Sequence, residues 1–161
     1  MTLKKKILLG QGLAILLTAL VISWAVVNLI SLGKATDAVL KENYRSILAA
    51  ENMLSALERQ DSGILLIFIG DTKTGIDQYR TNEAVFLEWL GRAKDNITIT
   101  GEGDLVQAIE TDYAAYRKLS VGITTARNLE TVYHGTIFPL FNKIREACIK
   151  LRTLNERTMY A

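Results

Sequence analysis

Two hydrophobic patterns divide the chain. From Ile7 to Gly33 no charged residue interrupts the sequence, and lysines flank the run at Lys4, Lys5 and Lys6 and again at Lys34. At about 1.5 Å per residue a helix of that length spans roughly 40 Å, more than the roughly 30 Å hydrocarbon core of a bilayer. Beyond the run, apolar residues recur at three- and four-residue intervals, the mark of helices that bury one stripe.

The first of these helices is read through Leu40, Ile47, Ala50, Leu54, Leu57, Ile64 and Phe68, with Asn43 and Asp61 in the two polar slots of the same stripe. Gly33 alone costs a helix only about 1 kcal/mol relative to alanine, so this helix is expected to continue directly from the apolar run. Gly70 to Gly75 reads as a turn, and Thr74 with Asp77 resembles a capping box for the second helix. That helix carries Ile76, Tyr79, Glu83, Phe86, Leu90, Ala93 and Ile97 before a break at Thr98 to Gly103. A third follows with Leu105, Ile109, Asp112, Tyr116, Leu119 and Ile123, and Glu102 and Asp104 suit the positive end of its dipole. A fourth runs through Phe141, Ile144, Cys148, Leu151 and Asn155. Its start within Asn128 to Gly135 is open, and Pro139 fits either a first turn or a kink.

The predicted fold is all-α: an antiparallel up-down-up-down four-helix bundle, preceded by one transmembrane helix continuous with the first bundle helix. The expected divisions are a cytoplasmic tail over 1–6, a membrane anchor over 7–33 and an external helical domain over 34–161. The lysine triplet places the amino terminus on the cytoplasmic side by the positive-inside rule. A cleaved signal peptide is the competing reading, but the apolar run is about twice the usual 7 to 15 residues and no small-x-small pair precedes a clean break. The bundle is expected to return the chain toward the membrane, and Tyr160 and Ala161 fall in mid-pattern with no stop signal. A second span in a longer protein is therefore expected.

Composition narrows the function. A net charge of +2 with both signs interspersed supplies no basic stripe, so no nucleic-acid partner is expected. Cys148 is the single cysteine, which leaves intrachain disulfides out and stability to packing. It reads as a buried apolar group, or as one half of an intersubunit bridge if it faces a second copy. No Ser/His/Asp set, phosphate-cradling loop or HExxH appears, so no catalytic residue, cofactor or metal is expected. His134 stands apart from any ligand-spaced Cys, Asp or Glu and reads as a surface or loop residue. Tyr113, Tyr116 and Tyr133 read as core-edge packing rather than an aromatic cage. The Asn96-Ile97-Thr98 triplet matches a glycosylation acceptor only by composition.

Certain stretches carry a family resemblance. Asn43-Tyr44-Arg45-Ser46, Ala49-Ala50, Met53 and Leu57-Glu58-Arg59-Gln60-Asp61-Ser62-Gly63 resemble the first sensor helix of bacterial sensor histidine kinases of the KinB-like type and of chemoreceptors. Leu151-Arg152-Thr153-Leu154-Asn155-Glu156 with Met159 is similar to the end of the last sensor helix. The resemblance implies a periplasmic sensor bundle in the bacterial inner membrane, a homodimer, and a small-molecule or protein stimulus. It also implies a kinase region beyond this chain. Two alternatives fit the same residues: the ligand-binding domain of a methyl-accepting chemoreceptor, or a single-span periplasmic adaptor. Arg59 lies where nitrate-sensing kinases carry anion-clamping arginines, although Glu58, Asp61 and the lack of a Gly-x-x-Arg-Met run depart from that pattern.

The acids in the stripes are the candidate site, because an unpaired buried carboxylate costs several kcal/mol. In one arrangement Asp61, Glu83 and Asp112 line a polar ligand pocket together with Arg59, Arg80, Tyr79 and Tyr116. In the other, Arg59, Arg80 or Arg127 bridge the acids structurally, or the helices turn them to solvent.

Overall fold

The computed structural model describes residues 3–122 and 128–159, and every element within them is helical. The order is α1 (Leu3–Phe68), α2 (Thr72–Lys94), α3 (Glu102–Val121), α4 (Leu129–Val132), a π-helical stretch (Tyr133–Ile137) and α5 (Phe138–Met159). The chain forms two compact units, Met1–Leu40 and Lys41–Ala161.

In the first unit Gly10–Lys34 has a mean hydropathy of 2.5 and exposes its large apolar side chains, among them Leu16, Trp24 and Leu29. Two of its polar side chains bond to their own helix: Ser23 Oγ donates to the Ala19 carbonyl at 2.8 Å and Asn28 Nδ2 to the Trp24 carbonyl at 3.0 Å. Such back-bonding removes free donors from an apolar surface. The segment is long and apolar enough to cross a bilayer, properties that an N-terminal signal sequence shares.

The second unit is a helical bundle. Met53, Leu57 and Ile64 of α1, Phe86 of α2, Ile109 and Tyr116 of α3, and Ile144 and Leu151 of α5 fill its core, all at 1% exposure or less. Contacts of α1 with α2 and the residues just after it pair in opposite order: Ser46 with Asn96 past the end of α2, Gln60 with Asn82, and Gly63 with Gly75. Glu102 with Asn155 and Asp112 with Lys143 do the same for α3 and α5. Ala49, Ala50 and Ala56 are buried on the inner face of α1, and Gly63 on the same helix admits the α2 backbone closely.

Several boundaries differ from the sequence pattern. Helix α2 begins at Thr72, capped by Asp71, whose carboxylate accepts the Thr74 N–H at 3.3 Å. The Thr74–Asp77 capping box is therefore replaced by an Asp71 cap one turn earlier. The turn tightens around Gly70, at φ 96°, a conformation that favours glycine. Gly75, expected as the end of the turn, lies inside α2 and is buried against α1. Helix α2 ends at Lys94, so Ile97 leaves the expected stripe and is exposed, while Gly101 at φ 93° precedes α3. Ile123, Arg127, Tyr160 and Ala161 lie outside the described residues.

At the open junction Pro139 sits in the first turn of α5, immediately after the π-helical stretch. Proline supplies no N–H for the helix ladder, and the wider π turn is closed by the Phe138 N–H donating to the Tyr133 carbonyl. His134 is exposed within this helical stretch, edge-on to Tyr133 at 5.2 Å. Cys148 is buried at 1% exposure, and burial pushes its thiol up to about 12.

Candidate functional site

The π-helical stretch swings Tyr133 inward, where it is buried against the Phe68 ring at 5.4 Å, edge to face. Its hydroxyl donates to both oxygens of Asp61, at 2.9 and 3.1 Å. Beside this pair the rings of Tyr79 and Tyr116 stack at 6.4 Å, Tyr116 faces Tyr113 at 6.1 Å, and Tyr113 stacks on Phe86 at 3.7 Å. Tyr113 also donates to Gln60 Oε1 at 3.0 Å, and Gln60 Nε2 reaches the Asn82 carbonyl at 3.2 Å. One carboxylate and a run of phenols thus occupy the interior between α1, α2, α3 and the π-helical stretch.

Burial sets the electrostatics. It raises the Asp61 carboxyl above its usual range, and the Tyr133 hydrogen bond only partly offsets this. Burial likewise pushes Tyr79 up to about 12 and raises Tyr116 further, with Tyr79 and Asp61 adding to the Tyr116 shift. The phenols stay protonated at neutral pH, and Tyr113 and Tyr133 donate, to Gln60 and Asp61. The Tyr116 hydroxyl is buried with no hydrogen-bond partner among the described residues. The arrangement can hold a polar group or take up a proton.

The predicted site residues divide. Asp61, Tyr79 and Tyr116 come together. Glu83 lies within electrostatic reach of Tyr79 but pairs with Arg117 of α3. Asp112 turns to the α3–α5 edge, where Lys143 Nζ bonds its carboxylate at 2.8 Å. Arg59 and Arg80 are exposed and make no ion pair among the described residues. The expected bridges by Arg59 and Arg80 are thus replaced by Tyr133, Arg117 and Lys143, because those groups lie across the helix interfaces that the acids face. Tyr133 and Gln60 were not singled out as site residues. For Gln60 the available signal was its place beside Asp61 on the buried side of α1.

A second polar layer centres on Glu102, which the apolar spacing does not mark. Glu102, 1% exposed, opens α3 and accepts the Thr98 and Ile99 N–H groups at 2.7 and 3.1 Å and Asn155 Nδ2 at 2.8 Å. Burial works to raise its carboxyl, but these donors with Ser46 outweigh that and hold it below the usual range. Asn96 Nδ2 donates to the Glu42 carbonyl at 2.8 Å and to Ser46 Oγ at 2.9 Å, so the side chain of the glycosylation triplet serves to tie α2 to α1.

Asp61→Asn tests the buried acid. A carboxyl whose folded-state value lies above its unfolded one costs nothing below the unfolded value, costs more as pH climbs from there to the folded value, and costs its full penalty above it. Urea unfolding from about pH 4 to neutral is expected to show Asp61→Asn gaining on the wild type as pH rises. A pH-independent gap between the two would contradict the assignment.

No protein-family model, curated protein or solved structure matches the chain.

Proposed function

We propose that the chain is the extracytoplasmic signal-sensing module of a membrane-bound two-component sensor histidine kinase. In this reading Gly10–Lys34 crosses the bacterial inner membrane with the amino terminus in the cytoplasm. The bundle is periplasmic, up-down-up-down with four principal helices, and pairs with a second copy. The single observation that carries it is α1, one helix from Leu3 to Phe68 that includes both the apolar segment and the Asp61 that meets Tyr133. A stimulus that favours one packing of the Asp61–Tyr133 contact shifts α1 against α5, and the shift passes inward along α1.

The Glu58–Arg145 ion pair, 3.6 Å apart between α1 and α5, gives a direct handle. Glu58→Cys and Arg145→Cys are introduced into the whole chain, joined to the second span and transmitter of a reporter histidine kinase in membranes. Cys148 can remain, since burial keeps its thiol protonated and inert. Oxidation is expected to lock kinase output at a value different from the reduced protein, and reductant to restore it. Identical output in both states, with the crosslink confirmed, would count against transmission by these helices.

A further inference from the structure

A groove of about 420 Å³ opens between the start of the bundle part of α1 and the end of α2, lined by Arg45, Leu48, Trp89, Arg92, Asp95 and Asn96. That is within the usual range for small-molecule sites, roughly 300–1,000 Å³. Some of its wall residues have partners of their own. Asn96 is tied to α1 through the Glu42 carbonyl and Ser46 Oγ. Arg92 lies over the Trp89 ring, 4.2 Å from its centroid, and pairs with Glu88 at 2.6 Å on the exposed side. Two charged groups in the groove are left over: among the described residues neither the Arg45 guanidinium nor the Asp95 carboxylate has an ion-pair or hydrogen-bond partner. Leu48 and Trp89, both half-buried, supply an apolar flank.

We propose that this groove binds a small organic monocarboxylate with a flat or branched apolar body. A free guanidinium presents paired N–H donors that match a carboxylate bidentately, and an ion pair beside an aromatic and an aliphatic wall is stronger than one in open water. Asp95 sets the limit on charge, since a second carboxylate on the ligand meets a like charge without a neutralising partner. An inorganic anion satisfies Arg45 but leaves Leu48 and Trp89 uncovered. The site is separate from the Asp61–Tyr133 cluster and does not depend on the kinase reading.

The chain contains two tryptophans, Trp24 and Trp89, so Trp24→Phe leaves Trp89 as the sole indole reporter. Phenylacetate titrated into the full chain in nanodiscs is expected to change Trp89 fluorescence saturably. Acetate and phenylsuccinate are expected to bind more weakly. Arg45→Gln is expected to weaken phenylacetate roughly tenfold or more, and Arg45→Lys less. Asp95→Asn is expected to narrow the gap between phenylacetate and phenylsuccinate. An unchanged thermal melt of each variant keeps the comparison on binding. The proposal is overturned by any of three results: no saturable response to phenylacetate, equal affinity in Arg45→Gln, or acetate binding as well as phenylacetate.

Discussion

Gly75→Ala is expected to destabilise the bundle by about 3 kcal/mol, near the upper end of overpacking penalties. An alanine Cβ there would stand 2.5 Å from the Gly63 carbonyl oxygen and 3.0 Å from the Ile67 backbone nitrogen, both on α1. Neither can move without displacing a helix. Its counterpart Gly63 would meet the Gly75 carbonyl at 2.8 Å, so the two glycines form a reciprocal backbone contact between α1 and α2. The sign is the informative part, because alanine in place of glycine inside a helix ordinarily stabilises by up to about 1 kcal/mol. Gly91 in the same helix has nothing within 4 Å of the added Cβ, and Gly91→Ala is expected to show that ordinary gain. Urea unfolding of the three proteins decides the matter. Equal effects at both positions would mean that α1 and α2 do not touch through these glycines.

Glu102→Ala is expected to cost about 2–3 kcal/mol at neutral pH, since it removes the charged acceptor of the Thr98 and Ile99 N–H groups and one of the two acceptors of the buried Asn155 Nδ2, which keeps the Leu151 carbonyl. Glu102→Gln keeps the volume but turns an amide donor toward groups that are themselves donors, so only partial rescue is expected. Because the folded state holds the Glu102 carboxyl below its usual range, its stabilisation is complete above the unfolded value and is lost as pH falls through the folded one. The wild type should therefore lose its advantage over Glu102→Ala in acid. This is opposite in sign to Asp61→Asn, where the variant gains on the wild type as pH rises. Unfolding curves across pH for both variants separate the two carboxylates. A gap between wild type and Glu102→Ala that survives in strong acid would show that the ionised carboxylate is not the source.

The helices were legible where apolar spacing ran undisturbed. Phe141, Ile144, Cys148, Leu151 and Asn155 form one stripe in the sequence, and all five are buried on α5. Misreadings came where a residue type has two physical uses. Gly75 looks like a turn residue, yet here its lack of a Cβ admits a neighbouring backbone; nothing local distinguishes the two. Glu102 reads as a dipole partner in the sequence, but its carboxylate closes the loop behind it and crosses to Asn155 on α5. The Asp61–Tyr133 pair joins residues 72 positions apart through a π-helical stretch. Reading at a fixed helical period of about 3.6 misses such a stretch, because the extra residue in the wider turn shifts the register of the following residues. Acids in the stripes could be found from the sequence, whereas their partners depended on which helix faces which.

Transmission through α1 requires Gly10–Lys34 to remain attached to the bundle in the mature protein and to cross the lipid. Alkaline extraction of membranes from cells producing the chain, followed by intact-mass measurement of both fractions, tests this most directly. The membrane fraction is expected to retain the protein at its full 17.9 kDa. A soluble product that begins beyond Gly33 would identify a removed signal sequence and contradict transmission through α1.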